Sequence, residues 1–237
     1  MTLAVTAIDR AYLPGLIALH NSICKNSPET RLACIVYGDE DLANTVEGRG
    51  IEVLRNPELN TRLPTTDLYP VGNPAMYCRL MIPKWFDEDA VWLDADQVVL
   101  KPLDPLFSLN CGEYPCAAVE STTISHHVHG LPSPDDTPAL YAGLILMKRD
   151  AWLAQRVTER CFELMQTSTL TFRFVVQSVL SFVLRGGFHR LDEKWQRFGN
   201  RTHEPIPNDA CVVHWHGHSR NPWMCTMANQ NLWEQYA

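Results

Sequence analysis

Val91-Trp92-Leu93-Asp94-Ala95-Asp96 is a short apolar strand running straight into two carboxylates one residue apart. On extended backbone alternate side chains point the same way, so Asp94 and Asp96 face one spot. Two converging carboxylates repel each other unless a cation sits between them. Hard oxygen donors suit Mg2+ or Mn2+, ions that share their shell with substrate phosphates. Taken alone, the same tripeptide is also an ordinary strand-to-turn junction, because aspartate is favoured in turns.

Upstream of this stretch, Leu3 to Ile8 reads as a strand and about Tyr12 to Cys24 as a helix. Leu32 to Tyr37 and Ile51 to Leu54 read as two further strands. The alternation implies parallel pairing with helices on both faces, an α/β fold over a single domain of residues 1–237. In such sheets ligands gather beyond the carboxyl ends of the strands, where Asp9 and Asp39 lie. Residues Arg55 to Asn73 form a long polar loop, a candidate lid. Asn73-Pro74 carries the signature of a helix start, predicting a helix to about Trp85 with Tyr77 and Arg79 on it.

Downstream, Ser121 to Pro138 reads as a second loop and candidate lid, whose His126, His127 and His129 are expected to be solvated. Leu140 to Met147 is a strand, followed by helices at about Asp150 to Gln166 and Phe174 to Arg185. Gly186-Gly187 supplies a C-cap for the second. Val212-Val213 leads as a short strand into His214.

Bulk properties narrow the function. The net charge of −7 repels a polyphosphate backbone, so general nucleic-acid binding is not expected. An anionic substrate would therefore need a metal ion or a confined basic patch. No segment reaches the roughly 20 apolar residues of a membrane span. Met1 to Ile8 lacks a basic leader and reads as a buried strand rather than a signal peptide. The eight cysteines are scattered without a Cys-x-x-Cys pair. Cys24, Cys34, Cys78 and Cys161 sit in apolar stretches, which favours reduced thiols and a cytoplasmic location.

The closing stretch Val212-Val213-His214-Trp215-His216-Gly217-His218-Ser219-Arg220-Asn221-Pro222-Trp223 adds a nitrogen donor, His214, for the same cation. Gly217 allows backbone to approach a phosphate, and Arg220 offers it a forked donor. Zinc held by His214, His216 and His218 is the alternative, but it needs an extended segment and finds no cysteine at a suitable spacing.

Together these segments resemble the family 8 glycosyltransferases, which include glycogenin and the bacterial lipopolysaccharide galactosyl- and glucosyltransferases. Val5-Thr6-Ala7-Ile8-Asp9-Arg10-Ala11-Tyr12-Leu13 resembles that family's uridine-binding opening. Tyr77-Cys78-Arg79-Leu80 is similar to its Tyr-x-Arg-Leu helix. Leu93-Asp94-Ala95-Asp96 with Leu103-Asp104-Pro105-Leu106 resembles the metal motif and its trailing segment. Ala142-Gly143-Leu144 is similar to its Asn-Ala-Gly strand, and His214 to Trp223 to its closing motif.

The resemblance implies a GT-A type nucleotide-diphospho-sugar transferase fold, a single Rossmann-like mixed sheet flanked by helices. It implies a UDP-sugar donor, a hexose (glucose or galactose) transferred with retention, and Mn2+ or Mg2+ on Asp94, Asp96 and His214. Donor contacts are implied for Ala7, Asp9, Tyr12, Arg79, Ala95, Gly217 and Arg220, with Gln177 and Arg79 at the reacting centre. The acceptor, whether carbohydrate, glycolipid or protein, is not indicated. Three departures stand out: Tyr141 replaces the asparagine before Ala-Gly, Val176 replaces the aspartate of an Asp-Gln pair, and the closing motif is one residue longer. They keep open a non-catalytic sugar-nucleotide-binding protein. A metal-dependent phosphohydrolase or nucleotidyltransferase also fits the paired carboxylates.

Overall fold

The aliphatic and β-branched runs singled out above become strands in a computed structural model, which describes residues 2–59, 74–200, 205–216 and 221–237. In chain order the strands begin with β1 (Thr2–Ile8), β2 (Thr30–Val36), β3 (Glu52–Arg55), β4 (Ala90–Leu93), β5 (Gln97–Val99) and β6 (Cys116–Thr123), the last of which was not expected. Six more follow: β7 (Val128–His129), β8 (Pro138–Met147), β9 (Thr171–Phe172), β10 (His189–Leu191), β11 (Arg197–Phe198) and β12 (Val212–His214). A seven-stranded mixed sheet has the order β10-β6-β8-β4-β1-β2-β3, and a small sheet the order β11-β12-β5. With helices interspersed, the α/β class expected from the sequence is what forms. No helix among the described residues is long and apolar enough to cross a membrane.

Two compact units make up the chain. The first comprises Met1–Pro57, Val91–Leu109 and Asp192–Ala237. Here β1, β2 and β3 pair in parallel, with Thr2 opposite Thr30 and Val36 opposite Arg55. Such pairing requires crossovers, supplied by the helices Leu13–Asn26 and Glu40–Glu47. Asp39 caps the second by accepting from Leu42 N–H at 2.9 Å. The small sheet is built from distant segments: β12 pairs antiparallel with β5, His214 opposite Gln97, and parallel with β11. The rim of β5 is finished by the first helix and its end. Val99 N–H donates to Ser22 Oγ (2.9 Å), Val99 C=O accepts from Asn26 Nδ2 (2.8 Å), and Leu103 N–H donates to Ser27 Oγ (2.9 Å).

The second unit comprises Glu58–Ala90 and Asn110–Leu191. β6 runs antiparallel to β8 and parallel to β10. Two expected helices are interrupted and a third is slightly shorter than expected. The stretch from Pro74 to Trp85 is a relay of short turns, Pro74–Tyr77, Cys78–Leu80 and Ile82–Trp85, because Pro83 cannot donate into a continuous ladder. Arg156, at φ 52°, splits the next into Arg149–Ala154 and Val157–Thr167. The last begins only at Val176 and ends at Leu184, with Arg185 and Gly186 left-handed.

The expected loop Ser121 to Pro138 is largely regular. It finishes β6, forms the helix Ile124–His127, and pairs β7 with β9. Asp135 is pinned there, bonded through its backbone to Ser125 and through its carboxylate to Arg185 at 2.8 Å. His127 is fully buried rather than solvated; His126 and His129 are exposed as expected. The cysteines are thiols, as expected, and Cys24 is exposed along with Cys225 although it sits in an apolar stretch.

Candidate metal and donor site

Asp94 directly follows β4, and the turn Ala95-Asp96 leads into β5. The antiparallel register of β5 and β12 then brings His214 beside Asp96, with Trp215 N–H donating to Asp96 C=O at 3.0 Å. His214 Nε2 lies 3.0 Å from Asp96 Oδ1 and 3.8 Å from Asp94 Oδ2. One donor atom from each of the three residues falls within 4.8 Å of the others. Two ligands about 2.1 Å from a metal and at right angles stand about 3.0 Å apart, so these separations suit a single divalent ion. The donor set, two hard oxygens and an imidazole, suits Mn2+ or Mg2+. Asp96 and His214 are only 6% and 5% exposed. A buried Asp96 this close to the partly exposed Asp94 favours a cation between the two carboxylates.

Trp92 sets the orientation of one ligand. It sits two residues before Asp94 on the same face of the strand, and its indole Nε1–H donates to Asp94 Oδ1 at 2.7 Å. Phe198 stacks on His214 with ring centroids 5.8 Å apart and planes inclined by 30°. His216 is exposed, with its ring 5.9 Å from that of His214 and edge-on to Phe198 at 4.9 Å. Among the described residues the only cluster of this kind is the mixed carboxylate–imidazole one, while His218 of the zinc alternative lies outside them.

An aromatic wall adjoins the metal turn. Trp223 donates its indole N–H to Ala11 C=O at 3.1 Å and meets Tyr12 edge-on at 5.6 Å. Burial and the nearby charge of Asp96 push the Tyr12 hydroxyl up to about 12, with Asp94 and Asp9 adding to the shift, so it stays protonated. Asp9 caps the turn leading to Tyr12 by accepting from Ala11 N–H at 3.0 Å. Ala7 lies half-buried on β1 opposite Ile35, and Ala95 is buried within the metal turn. Gly217 and Arg220 lie outside the described residues.

The second unit holds the other two expected site residues. Arg79 Nη1 donates to Ala142 C=O at 2.6 Å, and Gln177 Oε1 accepts from Ala142 N–H at 3.1 Å. Both backbone groups of one β8 residue are thus held by the two side chains. Just before the helix bearing Gln177, Val175 adopts φ 42° and ψ −107°, a strained conformation for a buried β-branched residue. Beside it, Phe174 is 40% exposed with Arg173 over its ring at 5.1 Å, and His127 meets its edge at 5.1 Å. Burial pushes the His127 imidazole down to about 4, with the charges of His126 and Arg173 acting in the same direction.

Trp92 and Phe198 were missed in the sequence reading. The i, i+2 spacing of Trp92 and Asp94 on a strand was the available signal for the first. The second depends on β11–β12 pairing and had none.

This arrangement, a mixed sheet with a strand-end carboxylate pair met by a distant histidine, is that of an α/β protein with a candidate site for a divalent cation. The family model "Glycosyl transferase family 8" matches residues 4–226, and the chain belongs to that family. Among curated proteins it is similar to General stress protein A of Bacillus subtilis (strain 168), 20% identical over 63% of this chain and 59% of that protein. Among solved structures, an active-site mutant of LgtC has a TM-score of 0.76 at 18% identity, covering 99% of this chain and 95% of that one. The glycosyltransferase GlyE of Streptococcus pneumoniae TIGR4 has a TM-score of 0.69 at 16% identity, covering 100% and 60%. The chain thus spans about 60% of the length of the stress protein and of GlyE. The likeness to these glycosyltransferases establishes the GT-A type fold.

Proposed function

We propose that this chain is a retaining glycosyltransferase moving a hexose, glucose or galactose, from a UDP-sugar to an acceptor hydroxyl. The observation that carries the reading is the convergence of Asp94, Asp96 and His214 on one point in a family 8 chain. When bound there, Mn2+ or Mg2+ would neutralise the charge that develops on the leaving diphosphate. Asp94 and Asp96 supply its anionic ligands, and His214 the neutral one. Tyr12, kept protonated, presents a hydroxyl and a ring face to the uridine. Arg79 and Gln177 flank Ala142, where they orient the donor sugar. The Gln177 amide is a poor nucleophile, which favours front-face attack by the acceptor over a covalent intermediate. Gly217 and Arg220 are assigned to the diphosphate from the motif alone. Soluble, cytoplasmic action accords with the absence of a membrane-spanning helix among the described residues.

The test is a screen of UDP-sugars with Mn2+, reading UDP release and thermal stabilisation. Donor-selective release that chelation abolishes supports the reading; undiminished release after exhaustive chelation overturns the metal role. One observation favours a second reading. Val176, at the position of the family's aspartate, is buried and apolar. A non-catalytic donor-binding protein would show calorimetric binding of a UDP-sugar with no turnover against any acceptor.

A further inference from the structure

Gly15 lies in the first turn of the helix Leu13–Asn26 and is buried. A Cβ built on it falls 2.5 Å from the Ala95 carbonyl oxygen, and 2.7 and 2.8 Å from Cη2 and Cζ3 of Trp223. Real Cβ atoms essentially never come within 3.0 Å of another heavy atom, so a side chain here requires something to move. The carbonyl is the hard contact, because it belongs to the backbone between the two metal carboxylates. Three parts of the site therefore meet at one hydrogen-sized gap: the segment after Tyr12, the turn Asp94-Ala95-Asp96, and Trp223 of the closing stretch.

The turn has few other ways to give. Asp96 C=O is held by Trp215 N–H at 3.0 Å. Asp94 Oδ1 is held by the Trp92 indole, and the following strand is fastened to the same helix through Ser22 and Asn26. Helix and turn are thus tied together on one side and separated only by the Gly15 hydrogen on the other. Displacing the Ala95 carbonyl rotates the peptides on either side of it, and with them the directions of both carboxylates relative to His214.

We propose that Gly15 is a positioning residue for the metal turn: its missing side chain sets the spacing at which Asp94 and Asp96 face His214. The inference rests on the reading of those three residues as metal ligands. Any side chain at position 15 is then expected to weaken cation binding without touching the cation.

The test is titration of Mn2+ alone into the full chain, followed by loss of the free-ion paramagnetic resonance signal. In Gly15→Ala the Mn2+ dissociation constant is expected to rise about tenfold or more, the range seen when groups orienting metal ligands are altered. Gly187→Ala is the matched control. Its Cβ would lie 2.8 Å from the Leu184 carbonyl oxygen, in the other unit. It too is overpacked against a backbone oxygen, and should melt lower while keeping its Mn2+ affinity within about twofold, as distant sites act independently.

Should Gly15→Ala fail to fold, the pair Trp223→Leu and Gly15→Ala/Trp223→Leu replaces it. Shortening the tryptophan removes the ring contact and leaves only the contact with the carbonyl. The double variant is expected to bind Mn2+ more weakly than Trp223→Leu alone. Equal affinities in either comparison would overturn the role of Gly15. A wild-type chain that does not bind Mn2+ would instead overturn the metal reading itself.

Discussion

Trp92→Phe isolates the bond that orients one of the proposed metal carboxylates. The indole is 2% exposed and its N–H lies 2.7 Å from Asp94 Oδ1, while Asp94 Oδ2 faces His214 Nε2 at 3.8 Å. A hydrogen bond to an ionised group contributes about 1.5–3 kcal/mol. Part of that is lost from the metal-free protein too, so only the difference reaches the binding constant. If about 1.4 kcal/mol is felt in the bound state, the Mn2+ dissociation constant rises about tenfold.

The variant also loses ring volume, which Trp152→Phe reproduces. Trp152 is fully buried and donates its Nε1–H to Thr158 Oγ1 at 2.9 Å, within the other unit. Mn2+ titration by paramagnetic resonance, with urea unfolding of the same samples, separates the two effects. Both variants should lose stability, and only Trp92→Phe should lose affinity. Unchanged Mn2+ binding in Trp92→Phe, or equal weakening in Trp152→Phe, would refute the idea that the indole aims Asp94.

Asp96→Ala should leave a folded protein by circular dichroism and abolish Mn2+-dependent UDP release; wild-type-like release would remove the proposed mechanism. Ser22→Ala strands the buried Val99 N–H, and urea unfolding should show a loss of about 1–3 kcal/mol. His127 gives a pH signature. Its folded value, pushed down to about 4 by burial first and then by His126 and Arg173, lies below the ordinary 6.5. The unfolded chain therefore takes up the proton first, and stability falls as pH drops from 6.5 toward 4, by up to about 3 kcal/mol. His127→Gln should flatten that slope in urea midpoints; an unchanged slope would show that other groups set it.

The parts of the fold legible in the sequence were those written in local pattern. Leu3 to Ile8 and Val91 to Leu93 are apolar runs that form strands, whereas Asp94 and Asp96 come together across the turn Ala95-Asp96 and not by the strand alternation expected. The helix breaks divide into two kinds. Pro83 carries its own signal, whereas Arg156 and Val175 have none, because tertiary packing and not side-chain preference holds them at positive φ. The partnership of His214 with Asp96 was suggested by family pattern, but its physical cause is the β5–β12 register, a pairing of segments more than a hundred residues apart. His127 was misread because polar, proline-rich surroundings suggest solvent. In fact it ends the short helix Ile124–His127 and is buried, with Ser121 Oγ 3.3 Å from its Nε2 and the Phe174 ring edge-on at 5.1 Å.

The rim of β5 has one more consequence. Outermost strands with unanswered backbone groups are templates onto which a stray chain can zip, and many proteins guard them with lysine or proline. Here Ser22 and Asn26 answer both groups of Val99 from a neighbouring helix. The strand leading out of the metal turn is thereby shielded from intermolecular pairing by two short polar side chains. A substitution at either would leave one of those groups unanswered beneath the helix and loosen the strand next to the site.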